Sequence, residues 1–206
     1  MLQKVKDTMN EEWIQKLRTG DPAAFETLVR AHTSSVYKIA YTMMGNEHDA
    51  QDAVQEAFIK IYRALPSFRG DSAITTWMYR IAVNVCKDML RRAGRFRTVS
   101  PDDEAVFLDL PDTSPMPDEV LLSKETKKEL LAAIDELPTD YKLVITLCDL
   151  EGLPYIDAAQ ALDCPLGTVK SRLSRARNLL LQKLSEKGEL FPSKLRQKKS
   201  KEDFKA

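Results

Sequence analysis

Apolar positions recur every three or four residues along most of the chain, and nowhere do they alternate for long enough to specify a strand. Asp21-Pro22 reads as a helix cap followed by proline at the first helical position. Phe25, Leu28, Val29, His32, Val36, Ile39, Ala40 and Met43 then hold helical spacing until Gly45. His32 lies on that apolar face, which fits a packing role. Asn46, with Asp49 three residues on, opens a second helix that runs to Leu65-Pro66, and a third is predicted from about Asp71-Ser72 to Gly94. Further helices are predicted from Asp118 to Leu137-Pro138, from Asp140 to Leu150, over Tyr155 to Leu162, and from Leu166 to about Ser185. The expected fold class is all-α.

The 206 residues are 43% apolar and 30% charged, enough to bury a core but too polar to span a membrane; the longest unbroken apolar run is Leu130 to Ile134. Lys4, Lys6 and Asp7 precede any sustained apolar stretch, so the start lacks the pattern of a secretory signal and a cytoplasmic location is expected. Cys86, Cys148 and Cys164 are odd in number and widely spaced, which excludes a disulfide framework and a paired-cysteine zinc site. His32 and His48 have no ligand-like neighbours. No metal or cofactor is expected, and without a glycine-rich phosphate loop or a nucleophile-base spacing the chain does not read as an enzyme.

The formal net charge is zero, but its distribution is not even. Arg80 to Arg97 carries 6 basic residues against 1 acidic, whereas Thr98 to Ser123 has no Lys or Arg, seven acids and four prolines. That composition marks a linker. Lys124 to Asp163 is acidic, and Cys164 to Lys187 again holds 6 basic against 1 acidic residue. The chain thus divides into an extension plus helical domain over 1–97, a flexible acidic spacer over 98–122, a second helical domain over 123–187 and a basic tail over 188–206. Each domain ends in a cationic stretch, an arrangement suited to gripping a polyanion at two places.

Three helix faces add detail. On the second helix Ala50, Ala53, Val54, Ala57, Phe58, Ile61 and Leu65 share one side when each residue is turned by about 100°. Asp52, Gln55, Glu56, Ile59, Tyr62 and Arg63 lie opposite, and an isoleucine at the centre of a polar rim suits a protein partner, although scattered exposed apolar residues are common. On the third helix Trp77, Arg80, Asn84, Lys87 and Arg91 form one stripe: cations to follow phosphates, Asn84 to bond a base edge, and Trp77, with Tyr79 nearby, to stack on an unpaired base. Trp77 taken alone fits core packing better. On the last helix Val169, Leu173, Ala176, Leu180 and Leu184 face inward. Thr168, Ser171, Arg172, Ser174, Arg175 and Asn178 face out, flanked by Lys170 and Arg177. With the short helix before it and a turn at Asp163-Cys164-Pro165, it has helix-turn-helix proportions; a helical hairpin with no DNA role is the alternative.

The runs Asp49-Ala50-Gln51-Asp52-Ala53-Val54-Gln55-Glu56-Ala57-Phe58, Phe68-Arg69-Gly70-Asp71-Ser72, Thr76-Trp77-Met78-Tyr79-Arg80-Ile81-Ala82-Val83-Asn84 and Cys164-Pro165-Leu166-Gly167-Thr168-Val169-Lys170-Ser171-Arg172 resemble, in order and spacing, bacterial RNA polymerase sigma factors of the extracytoplasmic-function group. The resemblance implies two domains, regions 2 and 4, joined by a flexible linker. It implies that Asp52, Gln55, Glu56, Ile59, Tyr62 and Arg63 dock on the polymerase β′ coiled coil. Phe68 through Lys87, including Arg69, Asp71 and Ser72, would then capture and help open the −10 element, with a base extruded near Arg69 to Ser72. The last helix would read the −35 element as duplex, and the spacer would run through polymerase channels of the core, β included. An anti-sigma partner is expected as well.

Asp163 stands where glycine is frequent, and Asp tolerates the left-handed conformation. Ile156 and Ala158 depart from the usual acidic and larger apolar residues; Met9 is an alternative start, and the tail fits nonspecific attraction to DNA. A self-sufficient helix-turn-helix regulator is the alternative function; it would need a dimer interface but neither the Ile59 face nor the Trp77 stripe. Unaided promoter binding is expected to be weak, because a flexible spacer does not hold two domains at promoter spacing.

Overall fold

A computed structural model describes residues 11–95 and 124–186, all helices and short connections. The acidic spacer, the basic tail, Met9 and the beginning expected at Asp118 lie outside the described residues. The first unit contains α1 (Glu11–Arg18), α2 (Pro22–Met44), α3 (Glu47–Ala64), a 3-10 turn (Leu65–Ser67) and α4 (Ile74–Arg92). The second contains α5 (Lys124–Asp135), α6 (Thr139–Ile145), a π turn (Thr146–Leu150), α7 (Tyr155–Leu162) and α8 (Leu166–Glu186).

The helix boundaries follow local chemistry. Asp21 Oδ1 accepts from the Ala24 amide at 2.8 Å, Pro22 occupies the first helical position, and Gly45 ends α2 at φ 74° while its amide bonds the Tyr41 carbonyl. Asn46 Oδ1 accepts from the Asp49 amide at 2.9 Å and starts α3. Caps of this kind contribute about 1 kcal/mol each. Helix α4 begins at Ile74, two to three residues later than the sequence pattern implied, because Gly70 at φ 84° and the bends around it keep the preceding loop out of helical geometry. The helix expected from Asp140 to Leu150 is divided: its last turn widens into π geometry from Thr146. Helix α1 was not legible at all. Leu17, fully buried, anchors it against α2 and the 3-10 turn.

In the first unit α2, α3 and α4 pack pairwise around Leu28, Ile39, Ile61, Met78 and Val83. In the second, α8 lies across α5, α6 and α7, burying Leu143, Ile145, Leu147, Val169 and Leu173. Truncating one of the leucines or isoleucines, or Met78, to alanine costs about 2–5 kcal/mol. The two units also pack directly on each other: α4 rests against α7, and α2 against α6 and the π turn, so buried residues of both form one continuous apolar cluster. Periodicity within each helix did not foretell this contact.

Candidate nucleic-acid interface

Helix α3 turns Ala50, Ala53, Ala57, Phe58 and Ile61 into the core and leaves Asp52, Gln55, Ile59, Tyr62 and Arg63 exposed, with Glu56 half-buried. Ile59 is 51% exposed and Tyr62 46%, the Tyr62 ring being met edge-on by Phe25 with centroids 4.8 Å apart. Lys60 Nζ lies 3.1 Å from Glu56 and 3.9 Å from Asp88, tying this rim to α4. An open groove of about 400 Å³, lined by Lys60, Arg63, Ala64, Ile81, Asn84 and Val85, runs between the two helices.

On α4 the stripe is real but unequal. Arg80, Asn84 and Arg91 are exposed, and Arg91 lies 3.3 Å from Asp88. Trp77 is half-buried and tilts 51° against Phe68 at 5.1 Å, so it combines a packing role with a partly open face. Tyr79 does not stack outward: it is buried, edge-on to His32 at 6.5 Å, because its position on the helix points into the α2 side of the core. Lys87 is half-buried, its ammonium donating to the Leu162 carbonyl at 3.3 Å. In the loop before α4, Phe68 is buried while Arg69, Gly70 and Asp71 are exposed and Ser72 is half-buried. Arg95, beyond the stripe, bonds Asp49 at 2.6 Å and pins the end of α4 to the start of α3. Hydrogen bonds first from Asn46 and then from Arg95 hold the Asp49 carboxyl below its usual range.

Helix α8 departs further from expectation. Val169, Leu173 and Ala176 are buried as its inward face, and Lys170 and Asn178 are exposed. Thr168, Ser171, Arg172, Ser174, Arg175 and Arg177 are all half-buried rather than fully outward, and the Ser171 hydroxyl donates to the Thr168 carbonyl at 3.1 Å. Acids of α6 and the π turn draw the arginines down. Arg172 sits 3.4 Å from Asp140, each 18% exposed. Arg177 grips Asp149 through Nη2 at 2.7 Å and Nε at 3.1 Å, and those hydrogen bonds raise its pKa against the opposing effect of burial. Such a two-pronged pair fixes geometry as well as charge. The Arg175 Nε is shielded from solvent. Asp163 closes α7 in the left-handed region at φ 56°, the turn geometry that its side chain tolerates.

Burial pushes the Cys86 thiol up to about 12 and the Cys148 thiol to about 11, which makes both inert near neutral pH. Among the described residues no group of His, Cys, Asp and Glu is placed to hold a metal ion, and no helix is long and apolar enough to cross a membrane.

Two small helical units, one with an exposed apolar centre beside a cationic helix and the other with a helix-turn-helix, define a DNA-recognition subunit. Family models narrow the class: sigma-70 region 2 matches residues 28–96 and sigma-70 region 4 matches residues 127–180. The chain is 42% identical over 180 residues to the ECF RNA polymerase sigma-E factor of Escherichia coli (strain K12), covering 83% of this chain and 92% of the relative. It is 41% identical over 180 residues to the sigma-E factor of Haemophilus influenzae, with 83% and 93% covered. A solved structure of the sigma factor RpoE in complex with the anti-sigma factor NepR from Bartonella quintana matches at 27% identity and a TM-score of 0.59, covering 78% of this chain and 96% of that one. A structure of CnrH in complex with the cytosolic domain of CnrY shares the fold at 24% identity and a TM-score of 0.60, covering 84% and 96%. The chain belongs to the extracytoplasmic-function group of the sigma-70 family, the sigma factors that direct RNA polymerase to promoters.

Proposed function

We propose that promoter direction by this chain is divided among three surfaces. The outward face of α3, Asp52, Gln55, Glu56, Ile59, Tyr62 and Arg63, docks on the polymerase core. The loop residues Arg69, Asp71 and Ser72 together with Trp77, Arg80, Asn84, Lys87 and Arg91 of α4 take the −10 strand. Thr168, Lys170, Ser171, Arg172, Ser174, Arg175 and Arg177 of α8 meet the −35 duplex. The observation that carries the division is Ile59, an isoleucine half open to water at the centre of a polar helix face, while Arg63 of that same face lines one groove with the exposed Asn84 of α4. An apolar centre with a charged rim is what a protein partner rewards, and an exposed cation row is what a single strand rewards.

Within α8 the roles differ. Lys170 is open to reach a phosphate, whereas Arg172 and Arg177 must exchange an aspartate for DNA or else serve by holding the helix in position. Chemistry is supplied by the polymerase and this chain adds specificity, acting in the cytoplasm where the polymerase is. A partner of the anti-sigma kind is part of this reading, because a matched sigma factor is seen bound to one. Capture of core polymerase by the intact chain, compared with its Ile59→Glu variant, tests the division: retention by the native chain and loss by the variant are expected. A stand-alone regulator would show no retention in either case.

A further inference from the structure

Tyr62 stands on the outward face of α3, 46% exposed, yet two stretches of chain far from it in sequence meet its side chain. Phe25, in the first turn of α2, approaches edge-on, with ring centroids 4.8 Å apart and planes inclined at 61°. An aromatic pair of this kind has a preferred geometry, so it orients as well as attracts. At the other end the Tyr62 hydroxyl reaches the turn between α1 and α2, where a methyl group built on Gly20 would lie 3.9 Å from it. Both supports are fixed locally. Phe25 is half-buried and packs against the apolar core. The Gly20 amide donates to the Leu17 carbonyl at 3.1 Å, the Asp21 amide to the Lys16 carbonyl at 3.0 Å, and Leu17 is fully buried. Ile59 lies one turn earlier on the same face of α3 and is a helix-surface neighbour of Tyr62.

We propose that Phe25 is a positioning residue for docking on the polymerase core: it holds the Tyr62 ring over the start of α2, so that Tyr62 and Ile59 present a preformed pair of anchors. The inference rests on the reading of α3 as the docking face and adds to it a support from outside that helix. A solvent-exposed side chain samples more than one rotamer, and a partner that needs one of them loses affinity in ordering it. A ring already held in place avoids that loss, which for one side chain corresponds to about two- to tenfold in affinity. Tyrosine suits the part, with few rotatable bonds and an apolar body under a polar tip. Phe25 acts through Tyr62 and needs no contact with the partner itself. Gly20 and Phe25 both precede residue 28, where the match to sigma-70 region 2 begins, so the docking surface has a support outside that region.

A double-mutant cycle on the full chain tests this, with core polymerase titrated into the fluorescein-labelled protein and binding read by anisotropy. Phe25→Leu should weaken binding about fivefold and Tyr62→Leu about tenfold or more. The two together should bind within about twofold of Tyr62→Leu alone, because Phe25 then has nothing left to orient. A purely structural role for Phe25 predicts instead the same loss whichever residue occupies position 62. Melting curves accompany the titrations; Phe25→Met, whose flexible side chain refills the space, takes the place of Phe25→Leu if the latter is not fully folded at the titration temperature. A Phe25 variant that binds like the native chain, or one that weakens the native and Tyr62→Leu chains by equal factors, overturns the positioning role. Ile59→Glu, titrated alongside, separates the two claims. Its normal binding would bring down the α3 reading itself, whereas its loss of binding with an uncoupled Phe25 and Tyr62 would overturn the positioning alone.

Discussion

Helices α4 and α8 both carry rows of cations, yet they spend them differently. On α4, Arg80 and Asn84 stand in solvent and Lys87 is occupied by the other unit. On α8, Arg172 and Arg177 are occupied from within their own unit, by Asp140 and Asp149. On α4 one cation of the row, Lys87, is engaged from outside its unit, while Arg80 and Arg91 are exposed. Arginines paired locally are instead held in fixed geometry by their own aspartates. Positive charge counted along a sequence does not separate these cases.

Single substitutions separate the two rows. The largest effect is expected away from both rows, at the α3 face proposed to meet the polymerase core. Ile59→Glu should weaken capture of core polymerase by about 100-fold or more, the scale of a central hot spot, with the melting temperature unchanged because this side chain is half-exposed. Arg177→Ala leaves Asp149, 9% exposed, without its two-pronged partner. Removal of one member of such a pair should cost region 4 about 2 kcal/mol, read by denaturant unfolding of the full chain. Arg80→Ala, by contrast, should leave stability alone and reduce promoter opening by about tenfold, read with a fluorescent base in the −10 strand. Equal stability losses in Arg80→Ala and Arg177→Ala would erase the distinction between the two rows.

The smallest effect concerns pH. Burial lowers the pKa of His32 from its ordinary 6.5, the Glu151 charge acting the other way, and Nε2 of His32 is buried without a hydrogen-bond partner. Above 6.5 the imidazole is neutral in both folded and unfolded chains. As pH falls below that value the unfolded chain takes the proton first, so stability declines toward the folded pKa. His32→Gln should remove that part of the acid destabilisation, which the difference between the melting profiles of the two chains from pH 7 to pH 5 would show.

Much of the fold was legible because the signals are local. Asp21-Pro22, Asn46 and Asp163 each cap or turn the chain within a few residues, and they sit where the spacing placed them. The exposure of Ile59 was legible for a related reason: an isoleucine out of phase with its helix is visible from periodicity alone. Tyr79 misled because it neighbours the stripe in sequence while its rotation about α4 carries it inward. The half-burial of the α8 arginines depends on Asp140 and Asp149, 32 and 28 residues earlier, and no helical period connects them. The contact between the units is further out of reach, since Glu151 meets Ser35 and Lys38 across 116 and 113 positions. Glu151 beside Gly152 reads as an ordinary turn residue until the two units are seen together.

The most direct test of the central claim is transcription in vitro, with purified core polymerase and this chain on a fragmented genomic library, mapping the 5′ ends of the transcripts. Initiation should concentrate at discrete sites sharing paired upstream motifs and should vanish with Ile59→Glu. Transcripts no different from those of core polymerase alone would contradict the account.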